Sequence, residues 1–146
     1  MSNLDHPTRP LCVIGESDPF LARLLQRFAE KSGFSIKLAQ TGEDVLDLAQ
    51  RNKTALIILE PELPGKVRGW DAARQLSKSS PRSRIPVIIC SWMKKTEAQG
   101  LVGQISAYLQ KPDLRYEDFS EALKTAVKPI RKKRSRTAPT LKVSSV

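Results

Sequence analysis

Five short apolar runs alternate with amphipathic stretches along the chain. The runs are LCVI (11–14), SIKLA (35–39), ALIIL (55–59), PVIICS (86–91) and SAYL (106–109). Three of them are almost uninterrupted in Val, Ile and Leu, which is typical of strands that are covered on both faces. Strands that alternate with helices favour a parallel sheet between two helical layers. The pattern therefore predicts an α/β three-layer sandwich with a five-stranded parallel sheet.

Helix signals occupy the stretches between the first three runs. Asp18 is a good helix cap and Pro19 fits the first turn, so the first helix is predicted to begin there. Gly33 is expected to end it. Residues 41–44 read TGED, a capping-box pattern that opens the second helix.

Three further helices are predicted in the second half of the chain. The third covers about residues 70–79, and a short fourth follows Met93. The fifth is expected to end at Pro129, because proline does not continue a helix. Its inner face has apolar residues at helical spacing, namely Phe119, Ala122, Leu123, Ala126 and Val127.

The excess positive charge is concentrated at the carboxyl end of the chain. The net charge is +10, and residues 128–146 contain no acid. We therefore expect a polar leader over residues 1–9, one domain over residues 10–127 and a basic, flexible tail over residues 128–146. The bases that open this tail are Lys128, Arg131, Lys132, Lys133, Arg134 and Arg136.

The remaining composition excludes several classes of function. The apolar runs are too short to span a bilayer and the leader lacks a signal peptide, so we expect no membrane span and a cytoplasmic location. Cys12 and Cys90 lie in apolar runs, which indicates buried thiols rather than a disulfide or a metal site. His6 is the only histidine, which leaves little room for His-based catalysis, and we expect no enzyme.

Polar side chains stand at the carboxyl ends of the predicted strands, where sites of such folds lie. Carboxylates suit a divalent metal, and a hydroxyl and an ammonium suit phosphoryl oxygens. The residues are Glu16, Ser17 and Asp18 after the first strand, Glu60 and Glu62 after the third, Ser91 and Trp92 after the fourth, and Lys111 after the fifth, with Tyr108 nearby.

In these motifs the chain resembles the receiver domains of two-component response regulators, the CheY-like family. The resemblance runs from about Leu11 to Val127 and rests on VIGESDP (13–19), LEPELPG (59–65) and YLQKP (108–112), with IPVIICS upstream of the last. It implies a doubly wound, flavodoxin-like sheet of strand order 2-1-3-4-5 and a part in phosphorelay signal transduction.

The resemblance also implies roles for single residues. In this family an acidic pair and the aspartate that ends the third strand hold Mg²⁺, and that aspartate accepts a phosphoryl group from a histidine kinase. Ser91 and Lys111 match the positions that contact the phosphoryl oxygens, and Tyr108 matches the switch aromatic. Glu16 matches the first acidic position loosely.

Three departures from this pattern indicate an atypical pseudo-receiver. The acceptor position is Glu60, the second acidic position is Ser17, and the small residue after the hydroxyl is Trp92. Glutamate reaches about 1.5 Å further than aspartate, and a misplacement near 1 Å costs in-line transfer roughly a hundredfold. We therefore expect no phosphoaspartate cycle, no cofactor and weak Mg²⁺ binding at best.

Several alternatives stay open at this site. Glu60 either extends toward Ser91 and imitates the phosphorylated state, or forms a plain ion pair with Lys111. Asp18 and Glu62 are either spare metal ligands or, as we favour, a helix cap and a solvated loop residue. Tyr108 and Trp92 form either a switch pair or ordinary packing.

We expect the output to be a protein contact, made by a stand-alone module. In the family, the face formed by the fourth helix, fifth strand and fifth helix binds signalling partners or a second copy. Here it would include Lys94, Lys95, Tyr108, Tyr116 and Phe119, unless that face is a solvated edge with Phe119 buried. Two alternatives are a working phosphorelay receiver with a histidine kinase, and a protein that binds nucleic acid or an anionic surface through the basic tail.

Overall fold

Strands and helices alternate through the part of the chain that the structure, a computed structural model, describes: residues 8–78, 84–103 and 105–127. The predictions for the basic tail, for Pro129 and for leader residues 1–7 lie outside the described residues. The strands are β1 (Leu11–Gly15), β2 (Ser35–Ala39), β3 (Thr54–Leu59), β4 (Val87–Ser91) and β5 (Ala107–Gln110), and the helices are α1 (Pro19–Lys31), α2 (Gly42–Arg51), α3 (Gly69–Ser77), α4 (Lys95–Val102) and α5 (residues 116–127).

The strands form one parallel sheet of order β2-β1-β3-β4-β5, which confirms the predicted architecture. Its register aligns the carboxyl ends of neighbouring strands. Gly15 at the end of β1 pairs with Leu59 at the end of β3, and Ser91 at the end of β4 pairs with Gln110 at the end of β5. The residue that follows each strand therefore comes to the same edge of the sheet.

The helix starts follow the local signals. The Asp18 carboxylate accepts hydrogen bonds from the N–H groups of Phe20 at 2.8 Å and Leu21 at 3.1 Å, so its predicted capping role is confirmed. The Thr41 hydroxyl accepts one from the Asp44 N–H at 3.1 Å, as the capping pattern predicts. Gly33 has φ +99°, a conformation that glycine adopts without strain, just after α1 ends.

Two apolar layers cover the sheet. Ile14, Leu56 and Phe119 belong to the layer under α1 and α5, and Val13 and Ile57 belong to the layer under α2, α3 and α4. Each large side chain that is fully buried contributes about 1.5–3 kcal/mol to the free energy of unfolding. The core thus fixes the strand ends on which the polar residues stand.

Both cysteines are core residues, as predicted. Cys12 and Cys90 are free and fully buried, and β3 lies between their strands. Burial raises the pKa of each thiol to about 12, because the thiolate is disfavoured away from water. These thiols therefore lack the low pKa that a reactive cysteine needs.

Two predictions for α5 are wrong. Val127 is 50% exposed, since it lies about 100° around the helix from Ala126, which faces the core. Tyr116 does not join a face with α4 and β5. Its ring lies 5.7 Å from that of Phe28 on α1 and beneath the Lys31 ammonium, 4.2 Å away.

Candidate functional site

Four buried polar side chains meet at the carboxyl edge of the sheet. The exposed fraction is 6% for Glu16, 7% for Glu60, 0% for Ser91 and 4% for Lys111. Each stands at the end of a different strand, β1, β3, β4 and β5 respectively. The aligned strand ends thus bring two carboxylates, one hydroxyl and one ammonium into a water-poor volume.

The Lys111 ammonium forms its closest ion pair with Glu16. Its Nζ lies 3.0 Å from both carboxylate oxygens of Glu16, and 3.6 Å from Oε2 of Glu60. The Asp18 N–H also donates to Glu16 Oε2 at 3.0 Å. The expected pair between Glu60 and Lys111 is therefore present as the longer of two contacts, and sequence reasoning missed the shorter one.

Glu60 is held by Ser17 rather than by Ser91. Its Oε1 accepts hydrogen bonds from the Ser17 N–H and from the Ser17 hydroxyl, both at 2.8 Å. The Ser91 hydroxyl instead accepts from the Met93 N–H at 3.0 Å. The alternative in which Glu60 extends toward Ser91 is not observed, because the Glu60 carboxylate reaches the β1–α1 turn instead.

Two carboxylates and one ammonium leave the cluster one negative charge in excess. Burial raises the pKa of Glu16 to about 7, and the charge of Glu60 adds to the rise, while Lys111 and the Asp18 N–H oppose it. Burial also acts to lower the pKa of Lys111, but its hydrogen bond to Glu16 and the charges of both glutamates outweigh this, and that pKa is raised. The cluster therefore holds its lysine charged and takes up a proton near neutral pH.

The donor set at this edge does not fit a magnesium ion. Glu16 faces the Lys111 ammonium, and Glu60 Oε1 is occupied by Ser17. Asp18 Oδ1 caps α1. No group of three or more His, Cys, Asp or Glu residues with metal-binding geometry occurs among the described residues. The cation that pairs with these carboxylates, and most closely with Glu16, is the lysine itself.

The two aromatic residues at this edge differ in their surroundings. Tyr108 packs against the core and its hydroxyl donates to the Ser91 carbonyl at 3.4 Å. Burial raises the pKa of that hydroxyl. Trp92 is 58% exposed. The ring-to-ring contacts in the described part of the chain join Phe28, Tyr116 and Phe119, and none joins Trp92 to Tyr108.

The loop after β3 is fastened to both neighbouring helices. The Glu43 carboxylate of α2 accepts from the Val67 N–H at 3.1 Å, and this bond lowers its pKa. At the start of α3, a Cβ on Gly69 would contact the Glu60 carbonyl oxygen, so only glycine fits there. Sequence reasoning missed this role of Glu43, because the residue was read only as part of the capping pattern at the start of α2. Glu62 in this loop is half-buried.

A cavity of about 740 Å³ lies along β5 and α5, and Lys111 of the buried cluster belongs to its lining. Its lining mixes charges of both signs with an aromatic ring, namely Lys95, Tyr108, Arg115, Asp118 and Glu121. Phe119 is fully buried beneath α5, which agrees with the alternative of a solvated edge over a buried phenylalanine. No helix in the described residues is long and apolar enough to cross a membrane.

Comparison with known proteins identifies similar chains. The family model "Response regulator receiver domain" matches residues 12–124. The "Gliding motility regulatory protein" of Myxococcus xanthus is 36% identical over 116 residues, which is 77% of this chain and 15% of that protein. Protein PilH of Pseudomonas aeruginosa is 32% identical over 103 residues, 68% of this chain and 84% of PilH.

Solved structures support the same fold. The crystal structure of a sensor protein from Polaromonas sp. JS666 is 26% identical and superposes with a TM-score of 0.70, over 84% of this chain and 98% of that one. The chain covers the greater part of PilH but only a small part of the Myxococcus protein.

Proposed function

Because the chain belongs to the response regulator receiver domain family, we propose that it acts in signal transduction as a protein-interaction module that does not depend on phosphorylation. Glu60 stands at the degenerate phospho-acceptor position. Glu16 and Ser17 form its acidic pocket, and Ser91 and Lys111 are the remaining phosphate-contact positions. We assign this role to residues 10–127 and place the module in the cytoplasm.

The observation that carries the proposal is that Ser17 and Lys111 hold the Glu60 carboxylate. Oε1 accepts two hydrogen bonds from Ser17 at 2.8 Å, and Oε2 lies 3.6 Å from Lys111. A carboxylate oxygen must be free and in line with the donor to attack a phosphoryl group. Freeing Glu60 would break charge-assisted bonds that are each worth about 1.5–3 kcal/mol.

The cation arrangement supports the same proposal. Receiver domains typically bind Mg²⁺ at an acidic site, and the metal neutralises the phosphoryl charge. In this chain Ser17 replaces one acidic residue, and Glu16 is already neutralised by Lys111 at 3.0 Å. An ion that entered would have to displace a buried lysine or share its carboxylates. Lys111 therefore already occupies the place beside Glu16 that a metal ion would need.

The output that we propose is contact with another signalling protein. The cavity along β5 and α5 offers the Lys95 and Arg115 cations and the Tyr108 ring on one surface. Tyr108 is also linked to the cluster, since its hydroxyl donates to the Ser91 carbonyl. A fixed cluster would hold Tyr108 in one position and so present one constant surface to the partner.

The test is a backbone amide titration by NMR with Mg²⁺ and then beryllofluoride, a mimic of an acyl phosphate. We expect the amides of Ser91, Lys111 and Tyr108 to keep their positions, because Ser17 replaces one acidic ligand and holds Glu60, and Lys111 pairs with Glu16. Saturable shifts at those amides would contradict the proposal and would identify a working phosphorelay receiver. The presence of Ser91 and Lys111 at the phosphate-contact positions is the observation that favours this alternative. A cognate histidine kinase would then be the partner to find.

A designed variant provides the positive control. Ser17→Asp combined with Glu60→Asp restores both acidic positions, and we expect this variant to bind Mg²⁺ and beryllofluoride. Glu60→Gln keeps the length of the side chain and removes its charge, and we expect no response to either probe. If the restored variant also fails to respond while its spectrum shows a folded domain, features other than residues 17 and 60 close the site.

A further inference from the structure

A groove of about 500 Å³ separates α1 from β2, on the edge of the sheet opposite β5. We call it the β2 groove. Ala22, Arg23 and Gln26 line it from α1, Leu38 lines it from β2, and Gln40 lines it just after that strand. It shares no lining residue with the cavity along β5 and α5, but Glu16 and Ser17 of the buried cluster also belong to its lining.

β2 offers an unpaired backbone edge beside this groove. In the described sheet it pairs only with β1. Besides that ladder, its backbone makes one further hydrogen bond to another backbone group in the described part of the chain, from the Ser35 N–H to the Pro10 carbonyl. Alternate N–H and C=O groups of an edge strand point outward and can pair with another extended segment.

The groove also has an exposed apolar residue. Leu38 is 51% exposed, although its neighbours on that face of the sheet, such as Ile14, are fully buried. Covering its exposed half with another apolar side chain is favourable, because it removes apolar surface from water. An apolar side chain on an added strand would cover Leu38 in the groove, because alternate residues of a strand face the same side.

Positive charge borders the groove. Arg23 and Arg27 are exposed, lie one helical turn apart and have no ion pair in the described part of the chain. The carboxylate next to them on α1, Glu30, accepts instead from the Gln26 amide at 3.3 Å. Three other arginines, Arg51, Arg74 and Arg115, each pair with an aspartate of their own helix or turn.

We propose that the β2 groove binds an extended, acidic segment of a partner protein. The segment pairs with β2 as a sixth strand, places an apolar side chain on Leu38 and places carboxylates beside Arg23 and Arg27. A second copy of this chain is disfavoured as the occupant. Antiparallel pairing of β2 with itself would bring together two copies of Lys37, the central residue of the strand, and like charges directly opposite are destabilising.

The experiment is an amide titration of the full chain with a synthetic peptide of about seven residues, long enough for one strand, in which one face carries a central valine between two glutamates and the other face carries threonine. We expect saturable shifts confined to residues 35–40 and the first turns of α1. Arg23→Glu should weaken binding about tenfold, because an attraction becomes a repulsion. Lys124→Glu makes the same change of charge on exposed α5 and should leave the affinity unchanged.

Three outcomes would overturn the proposal. The first is an absence of shifts in β2 at peptide concentrations near 1 mM, which corresponds to a binding free energy weaker than about −4 kcal/mol. The second is equal binding of a peptide with lysine in place of glutamate, because then charge does not select the partner. The third is a concentration-dependent shift of β2 amides without peptide, which would assign the edge to a second copy of the chain.

Discussion

Replacing Lys111 by methionine tests the charge balance of the buried cluster most directly. The ammonium lies 3.0 Å from Glu16 and 3.6 Å from Glu60, and the residue is 4% exposed. Methionine keeps most of the volume and removes the charge. Breaking a buried ion pair from one side costs about 3–5 kcal/mol, because the partner charge is left uncompensated. We therefore expect this loss in the free energy of unfolding above neutral pH.

The loss should shrink in acid. The pKa of Glu16 is already raised to about 7, and removal of Lys111 raises it further. A carboxyl group whose pKa is higher in the folded than in the unfolded state binds its proton more readily when folded, so its contribution to stability is fully present below the unfolded pKa and falls as pH rises. At about pH 5 a proton can replace the lysine charge, and the loss should be about 1–2 kcal/mol.

Urea unfolding followed by far-ultraviolet circular dichroism, at about pH 5 and about pH 8.5, measures both values. Lys124→Met is the matched control, since Lys124 is exposed on α5 and its loss should cost little at either pH. The combination of Glu16→Gln with Lys111→Met should recover part of the stability at high pH, because a neutral amide replaces the orphaned charge. A loss below about 1 kcal/mol at both pH values would refute the reasoning.

Three further predictions follow from single contacts. In the wild type, the pKa of Glu16 is raised to about 7, so the stability that this group contributes is fully present below pH 4.5 and is lost as pH rises through about 7. The loss in the free energy of unfolding is about 3 kcal/mol, and the melting temperature of Glu16→Gln should change less between those two pH values than that of the wild type. Ser17→Ala removes the hydroxyl donor to Glu60 but keeps the N–H, and urea unfolding should show a loss of about 1–2 kcal/mol. Gly69→Ala places a Cβ against the Glu60 carbonyl and 2.6 Å from that of Pro61, which should cost about 1–3 kcal/mol, whereas Gly100→Ala on α4 meets no atom within 4 Å and should be neutral or stabilising in the same assay.

The strands and helix starts were predictable because their signals are local. SIKLA coincides with β2, β1, β3 and β4 differ from the predicted apolar runs by one residue at one end, and β5 is shifted from its run by one residue. Asp18 and Thr41 cap α1 and α2 through side chains that reach N–H groups two or three residues away. Such contacts depend on neighbours in the chain, which the sequence states directly.

The choice of partners within the cluster was not predictable. The sequence placed Glu16, Glu60, Ser91 and Lys111 at one edge of a sheet, but Lys111 could have paired with either glutamate, and Glu60 could have met Ser17 or Ser91. The outcome depends on differences below 1 Å, as the 3.0 Å and 3.6 Å contacts of Lys111 illustrate. Those differences come from strand register and side-chain rotamers, which packing decides.

By itself, then, the sequence determined the order of elements, the caps and the set of residues that the strand ends collect, because periodicity and local hydrogen bonding follow the chain. The tertiary structure decided that Lys111 neutralises Glu16, that Ser17 occupies Glu60, that Tyr116 turns to α1 and that Leu38 stays exposed beside Arg23. Contacts of this kind join residues far apart in the chain. The first two are selected by the cost of burying charge without a partner, and the last two by how the side chains pack, and both exist only once the domain has folded.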